Sequence, residues 1–334
     1  RNAAFFIVII YLFFWIVLTL AHVTLAVYPK SDRHTPMNDN KGLIYAICAY
    51  TFWGIIPIFW KQLDHVSPLE IVMHRMVWSC LMVVGYIVVV GEWQAFRALF
   101  RQKMLLLRIG AASILVSINW GIFIWAVNDG HIVETSLGYF INPLISVLFG
   151  VLFFAERLRA TQIIAIGLAA CGVLFLIFGY GQIPIVALSL AITFSLYGVV
   201  KKSVSIPATH GLALETSLRF GPAAIYLIYL HANGGGVFGS DVLTSTNLVL
   251  AGLFTLVPLL SFAAAAKRIS MTALGMTQYV GPFLQLLIGV MIYHEPFGSD
   301  RMVAFSFVWV ALVIYSIDQL NHRRKARRAR RMLT

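Results

Sequence analysis

The stretch that decides the fold is residues 134–159, ETSLGYFINPLISVLFGVLFFAERLR. A helix needs about 20 apolar residues to cross the hydrocarbon core of a bilayer, and this run is long enough. It carries Asn142-Pro143 in its first half, where proline removes a backbone N–H and disturbs a helix. Glu156-Arg157 follow its last apolar turn directly. The stretch therefore predicts a membrane helix with a break inside it and a charged residue at its end.

The composition of the whole chain extends this prediction. The 334 residues are 60% hydrophobic and 11% charged, whereas soluble proteins carry about 25% charged residues. The net charge of +12 does not favour nucleic-acid binding, because Lys and Arg lie mainly in a C-terminal tail and in short loops between apolar runs. Cys48, Cys80 and Cys171 lie inside apolar runs and lack the spacing of a disulfide framework. We expect a polytopic membrane protein without a metal or cofactor.

Ten runs have the length and apolarity of membrane-spanning helices, and they predict an all-α bundle. They lie at about 42–60, 70–90, 104–127, 132–155, 161–180, 183–200, 211–231, 247–266, 271–294 and 301–320. Lys and Arg recur in the loops after the even-numbered spans and in the tail, residues 321–334, whereas the opposite loops offer only Lys61 and Arg301. The positive-inside rule therefore predicts that Lys41 and the C-terminus are cytoplasmic.

A further apolar run at 3–27 lies within the N-terminal segment 1–36. One interpretation is an eleventh helix with an outside N-terminus. A second is a signal-like segment, although 25 apolar residues are long for one. The third, which we favour, is an over-extended reading frame whose native start is Met37. Without this run both ends of the protein lie on the same side.

An internal repeat relates the two halves of the chain. A shift of 139 residues places GYFINPLISVLFGVLFFAERL on TQYVGPFLQLLIGVMIYHEPF (277–297). Pro143 then matches Pro282, and Glu156 matches Glu295. Each half, 41–180 and 183–320, would hold five spans, and an odd number forces the second half to enter the membrane from the opposite side. Inverted repeats of this kind are typical of secondary transporters with a site near the bilayer midplane.

Two arginines lie inside predicted membrane spans, where burying a charge has a high free-energy cost. An Arg at a helix centre costs roughly 2.5–3.5 kcal/mol on insertion scales, and Arg75 and Arg219 lie about five and about eight residues inside predicted spans. Glu215 shares a helix face with Arg219, and Glu70 shares one with His74. For each Arg, a structural ion pair and a substrate-binding cation both stay open. His74 is either a packed, hydrogen-bonded side chain or a proton carrier.

The remaining candidates surround the two predicted breaks and the third span. Trp120 lies too far from either helix end for an interfacial belt residue, so a cavity wall or helix packing remains. The carbonyls freed by Pro143 and Pro282 need partners in the bundle or water in a cavity. A purely structural kink is the alternative. The full set of cavity candidates is Trp53, His74, Arg75, Asn119, Trp120, Tyr139, Asn142, Arg219, Gln278, Tyr279 and Gln285. Glu156 and Glu295 are predicted as helix-end or gate residues.

Several segments resemble one known group. KGLIYAICAYTFWGIIPIFWK, SPLEIVMHRMVWS, INWGIFIWAVN, the opening stretch and QYVGPFLQLLIGVMIYHEPF are similar to the RarD proteins of the EamA branch of the drug/metabolite transporter superfamily. The resemblance covers 41–320. It implies a ten-helix permease of the bacterial inner membrane, built from two five-helix repeats and associated with chloramphenicol. These proteins usually begin a few residues before KG, which supports the start at Met37.

The expected function is a secondary transporter that exports a small organic metabolite or drug. Arg75 and Arg219 would attract anionic parts of the substrate, and Trp53, Trp120 and Tyr139 would stack on flat parts. The sequence contains no GxxxxGK[ST] motif, so the driving force is a gradient, either of H⁺ or of the substrate itself. The alternative is an intramembrane enzyme acting on a lipid or peptide, although HExxH and GxSxG are absent from the sequence. A structural or receptor role is a third option. The expected partners are the lipid bilayer, the substrate and no nucleic acid, in a monomer or homodimer.

Overall fold

The fold is an all-helical bundle in the part of the chain that the computed structural model describes, residues 40–128, 132–181, 183–292 and 299–331. The α-helices are α1 (Asn40–Ile55), α2 (Pro57–Trp60), α3 (Pro68–Val89), α4 (Trp93–Leu99), α5 (Lys103–Asn128), α6 (Ile132–Phe154), α7 (Ala160–Tyr180), α8 (Ile185–Ser203), α9 (Ala208–Ala232), α10 (Val242–Ala266), α11 (Met271–Gln278), α12 (Val280–Met291) and α13 (Ser299–Arg331). A 3₁₀ turn, Lys61–Leu63, follows α2. The N-terminal segment 1–36 and Glu295 lie outside the described residues.

Every predicted span coincides with a helix or a pair of helices. Seven helical stretches among the described residues are long and apolar enough to cross a bilayer. The other three predicted spans fall on α9, which carries Glu215 and Arg219, on α11 and α12, which are separated at Tyr279, and on α13. The chain is thus a multi-pass membrane protein, and α13 continues into the basic tail because Ala, Lys and Arg are strong helix formers.

One short helix was not predicted. Helix α4 lies between α3 and α5 and buries Phe96, whose ring lies 6.1 Å from that of His210 on α9. Trp93 at its start is 44% exposed. At seven residues α4 is too short to span a membrane, so it lies along one end of the bundle.

The helices pack into two apolar cores. The larger core is shared by α1, α3, α5, α8, α9, α10 and α11, and the smaller one joins α6, α7 and α8 to α11 and α13. Small residues allow close crossings, which is how membrane helices associate. A Cβ on Gly252 of α10 would lie 2.4 Å from the Cβ of Trp78 on α3. Many large apolar side chains on the outer faces, such as Phe178 and Leu243, are exposed and would meet lipid.

The helix contacts recur in pairs across the two halves of the chain. Helix α8 packs against α5 and α6, and α1 packs in the same way against α10 and against α11 with α12. Helix α3 packs against α9, α6 against α11, and α7 against α13. The second, fourth and fifth predicted spans are therefore direct neighbours of the seventh, ninth and tenth. Helix α9 contacts α3, α5 and α10.

Candidate functional site

The central feature of the site is one indole ring that two arginines contact. The guanidinium carbon of Arg75 on α3 lies 4.6 Å from the ring centre of Trp120 on α5, and that of Arg219 on α9 lies 5.3 Å from it. A guanidinium at this distance is attracted to the negative face of the ring. The structure therefore brings together three residues that the sequence indicated separately. Arg219 is eleven residues into α9, about 16 Å along the helix, deeper than predicted.

Arg75 is held by uncharged groups. Its Nε donates a hydrogen bond to Thr255 Oγ1 of α10 at 2.8 Å, and its guanidinium carbon lies 5.0 Å from the ring centre of Trp60. Tyr139, also predicted as a cavity residue, lies close enough to interact with the charge of Arg75. Tyr139 is 39% exposed and lies in the N-terminal half of α6. Arg75 is thus positioned by a hydroxyl and two indoles, and no described carboxylate forms an ion pair with it.

Arg219 belongs to a buried ion network. Its Nη2 donates to Glu215 Oε1 at 2.9 Å, which is the pair suggested by their spacing. Lys201 Nζ of α8 donates to Glu215 Oε2 at 2.9 Å, and the Tyr197 hydroxyl donates to the same oxygen at 3.3 Å. Glu215 is completely buried and Lys201 nearly so. Each charge is therefore removed from lipid and from water, which is tolerated only when it is paired.

An aromatic cluster lies beside this network. Trp53 has its ring 5.7 Å from those of Tyr50 and Phe194 and 5.9 Å from that of Phe262. Phe262 in turn stacks on Tyr197 at 5.8 Å. Trp53 was predicted to stack on substrate together with Trp120, but the structure packs it among other rings. Trp53 therefore belongs to the aromatic cluster that includes Tyr197, a hydrogen-bond donor to Glu215.

His74 does not face the Trp120 site. Its Nδ1 accepts a hydrogen bond from Trp78 Nε1 at 3.2 Å, and its ring stacks on Phe238 at 4.9 Å. Its Nε2 lies 3.9 Å from Glu70 Oε1, and that oxygen accepts from the Val237 N–H at 2.9 Å. These contacts tie α3 to the glycine-rich loop between α9 and α10. Of the two interpretations, the structure favours the packed, hydrogen-bonded one.

Helix α6 is not interrupted at Pro143, contrary to the prediction. It runs from Ile132 to Phe154 with the proline inside it. One proline removes one N–H donor, and the Tyr279 hydroxyl donates to the nearby Phe140 carbonyl at 3.2 Å. The break occurs only in the second half, where α11 ends at Gln278 and α12 begins at Val280, just before Pro282. The two matched prolines therefore have different effects.

Most polar candidates around the prolines hold helices together. Asn142 Oδ1 of α6 accepts from Ser195 Oγ of α8 at 2.7 Å. Asn119 Nδ2 donates to Thr193 Oγ1 at 2.8 Å, and Gln285 Nε2 donates to the Trp53 carbonyl at 3.1 Å. Gln278 and Tyr279 are buried. In this conformation these side chains are interhelical partners, and they are not grouped around Trp120.

Glu156, at the end of α6, binds the start of α11. Its carboxylate accepts hydrogen bonds from the Met271 N–H at 2.5 Å, the Thr272 N–H at 2.9 Å and the Thr272 hydroxyl at 2.7 Å. These N–H groups form the first turn of α11, where a negative charge is favourable. Lys202 Nζ donates to the Ala266 and Ile269 carbonyls at the end of α10. The turn between α10 and α11 is therefore held from both sides.

One basic group of this turn lies outside the spans. Lys267 follows α10, and its Nζ donates to the Ile206 carbonyl. Burial, together with the smaller effect of the positive charges of Lys201 and Arg268, lowers the pKa of Lys267 to about 8. Lys267 and Lys201 line the same shallow depression, together with Ile109 and Ile206. The basic character of the site thus continues from Arg219 to this end of the bundle.

The sequence did not indicate Thr255, Trp60 or Lys201 as site residues. Lys201 lies in the last turn of α8, beside Lys202, where positive charges usually mark a cytoplasmic loop. Its long side chain reaches Glu215 instead. The available signal was Glu215, seven residues inside α9. A carboxylate so far inside an apolar span needs positively charged partners.

The comparisons with known proteins agree with this fold. The model of the EamA-like transporter family matches residues 40–178. An uncharacterized transporter of Vibrio cholerae is 44% identical over 87% of this chain and 97% of its own length. The protein RarD of Escherichia coli is 40% identical over 86% of this chain and 97% of its own length. A solved crystal structure, 15% identical, aligns with a TM-score of 0.62 over 84% of this chain and 98% of that one, which shows a shared fold.

The chain belongs to the EamA-like transporter family of membrane proteins. Within that family its resemblance to the RarD proteins is confirmed. Some of the relatives, such as the one from Vibrio cholerae, are named transporters.

Proposed function

We propose that this protein is a secondary transporter that exports small organic molecules across the bacterial inner membrane. The observation that carries the proposal is that Arg75 and Arg219 lie over the same ring, that of Trp120, inside the bundle. A flat molecule can stack on such a ring, and the two guanidinium groups can donate hydrogen bonds to its polar parts. Charge in a membrane interior is expensive and is therefore a sign of function.

The proposed mechanism is alternating access between two inverted repeats, 41–180 and 183–320. The paired helix contacts support this division, because α8 and α1 have equivalent neighbours in opposite halves. Rocking of one repeat against the other would open the site to each side in turn. With Lys41 and the C-terminus cytoplasmic, the contact between Glu156 and α11 would lie at the cytoplasmic end. It would be closed in this conformation.

The energy source is a gradient. Coupling to H⁺ and facilitated diffusion are both compatible with the residues at the site. A pH gradient imposed across the membrane separates the two, because only a coupled transporter accumulates its substrate against a concentration difference.

The test is uptake by proteoliposomes that contain the purified full-length chain. A panel of small organic solutes, including chloramphenicol, is offered with and without a pH gradient, and protein-free liposomes give the passive rate. We expect saturable, protein-dependent movement of some members. If no solute moves while the protein hydrolyses a lipid or peptide and loses that activity in Arg75→Gln, the intramembrane-enzyme alternative is correct.

A further inference from the structure

The charges at the centre of the bundle do not balance. Arg75, Arg219 and Lys201 contribute three positive charges, and Glu215 is the one carboxylate that pairs with any of them in the described residues. Arg219 is 8% exposed and Lys201 is 3% exposed. Uncompensated charge in a medium of low dielectric constant is strongly unfavourable. An additional negative charge at this site would therefore lower the electrostatic free energy.

A second, independent observation is the hydrogen bonding of Arg219. Its Nη2 is occupied by Glu215, but its Nη1 is buried and has no hydrogen-bond partner among the described residues. Burying a donor of a charged group without an acceptor costs more free energy than burying a neutral one in the same way. A guanidinium normally uses several of its five donors when it is buried. The Nη1 atom thus has a hydrogen-bond donor for which the described residues provide no acceptor.

Arg75, which lies near the same ring as Arg219, offers such an acceptor a second positively charged group. Both guanidinium carbons lie close to the Trp120 ring centre, so they are no farther apart than the sum of 4.6 and 5.3 Å. One carboxylate has two oxygens, so it can accept one charge-assisted hydrogen bond from each guanidinium group. The group that carries it would lie against the indole rings of Trp120 and Trp60, which are apolar and flat.

We propose that the transported molecule is an organic anion, with a carboxylate bound between Arg75 and the Nη1 of Arg219 and a flat apolar group against Trp120. Glu215 is then a positioning residue. It fixes Arg219 through Nη2 and compensates Lys201, and it leaves Nη1 for the substrate. This inference rests on the proposed transport function and narrows it, since a neutral solute of the same shape leaves the charge excess in place.

The test measures thermal unfolding of the purified full-length protein in detergent with matched pairs of ligands. The pairs are benzoate and benzamide, phenylacetate and phenylacetamide, and indole-3-acetate and indole-3-acetamide. We expect at least one carboxylate to raise Tm saturably while its amide has no effect, because a ligand that binds the folded state stabilises it. Arg75→Gln should weaken the carboxylate effect at least tenfold. Arg97→Gln, at an exposed site on α4, should leave it unchanged.

A variant at Arg219 guards against an effect on folding alone. Arg219→Lys keeps the charge beside Glu215 but removes the guanidinium fork, so it should still fold and should bind carboxylates at least tenfold more weakly. The inference is overturned if no carboxylate of the panel raises Tm, if amides act equally well, or if both arginine variants bind as the parent does. If neutral solutes are transported saturably while carboxylates are not, the anion inference fails and the transport function stands. If neither class moves, both fail.

Discussion

Arg75 of α3 and Arg219 of α9 contact the same aromatic ring, that of Trp120, although 144 residues separate them in the chain. Like charges are rarely brought together in a membrane interior without an anion. The indole ring reduces this cost, since each cation–π contact contributes about 0.5–2 kcal/mol depending on exposure. The two contacts link α3, α5 and α9, and the excess positive charge is the basis of the proposal that the site binds an anion.

Glu215 should be the most sensitive residue of the ion network. Glu215→Gln leaves both Arg219 and Lys201 without a negative partner, whereas Lys201→Met leaves the Arg219 pair intact. Removing one partner of a buried pair typically costs about 3–5 kcal/mol. We expect Glu215→Gln to lower the thermal midpoint in detergent clearly more than Lys201→Met does. Equal losses in the two variants would mean that the two cations do not share one carboxylate.

Glu156 should control access from the end of the bundle where α11 begins. Glu156→Gln removes the negative charge that accepts from Met271 and Thr272. We expect faster maleimide labelling of a cysteine introduced at Thr277, in a chain whose three native cysteines are replaced by alanine. Arg157→Gln, at an exposed neighbouring position, is the control. Unchanged labelling in Glu156→Gln would show that this contact does not close the bundle.

The crossing of α6 and α11 should tolerate no larger side chain at Gly275. A Cβ there would lie 2.6 Å from the Pro143 carbonyl oxygen. Overpacking of this kind costs about 1–3 kcal/mol, so Gly275→Ala should lower the thermal midpoint. Gly110→Ala on α5 has open space around its Cβ and should be neutral or stabilising. If both variants unfold at the parent's temperature, the two helices are not in close contact.

Lys267 should make stability depend on pH. Its pKa in the fold, about 8, lies below the usual value for lysine. Below pH 8 the fold holds the charged form, which burial disfavours. Between pH 8 and the usual pKa the unfolded chain binds more protons, so stability rises with pH. Lys267→Met should therefore gain most over the parent at pH 7 and lose that advantage by pH 10. A difference in thermal midpoint that stays constant with pH would contradict the shift.

Site residues could be predicted from the sequence where a polar or aromatic side chain interrupts an apolar span. Arg75, Arg219 and Trp120 each did so within one span, and each could be selected without knowing its neighbours. Their meeting on one ring depends on how α3, α5 and α9 are rotated about their axes, which apolar periodicity does not specify when helices are apolar on all sides. The same limit applies to Pro143, since sequence alone does not show whether neighbouring groups allow a helix to continue past a proline.

Other predicted cavity residues contact neighbouring helices in the structure. Trp53 and His74 carry groups that suit a binding cavity, and the structure uses both for packing. Lys201 resembles a loop residue in the sequence and reaches the interior in the fold. Long side chains near helix ends can point either way, and only the position of Glu215 decides the direction here.

The most direct test of the central claim is transport by proteoliposomes with substitutions at Trp120. Counterflow of a solute that the parent transports is measured for Trp120→Leu, with Trp93→Leu on α4 as the matched control, because that indole is exposed and remote from the arginines. We predict at least a tenfold lower rate for Trp120→Leu at equal reconstitution and a parental rate for Trp93→Leu. A parental rate for Trp120→Leu would contradict the claim that the transported molecule binds between Arg75 and Arg219.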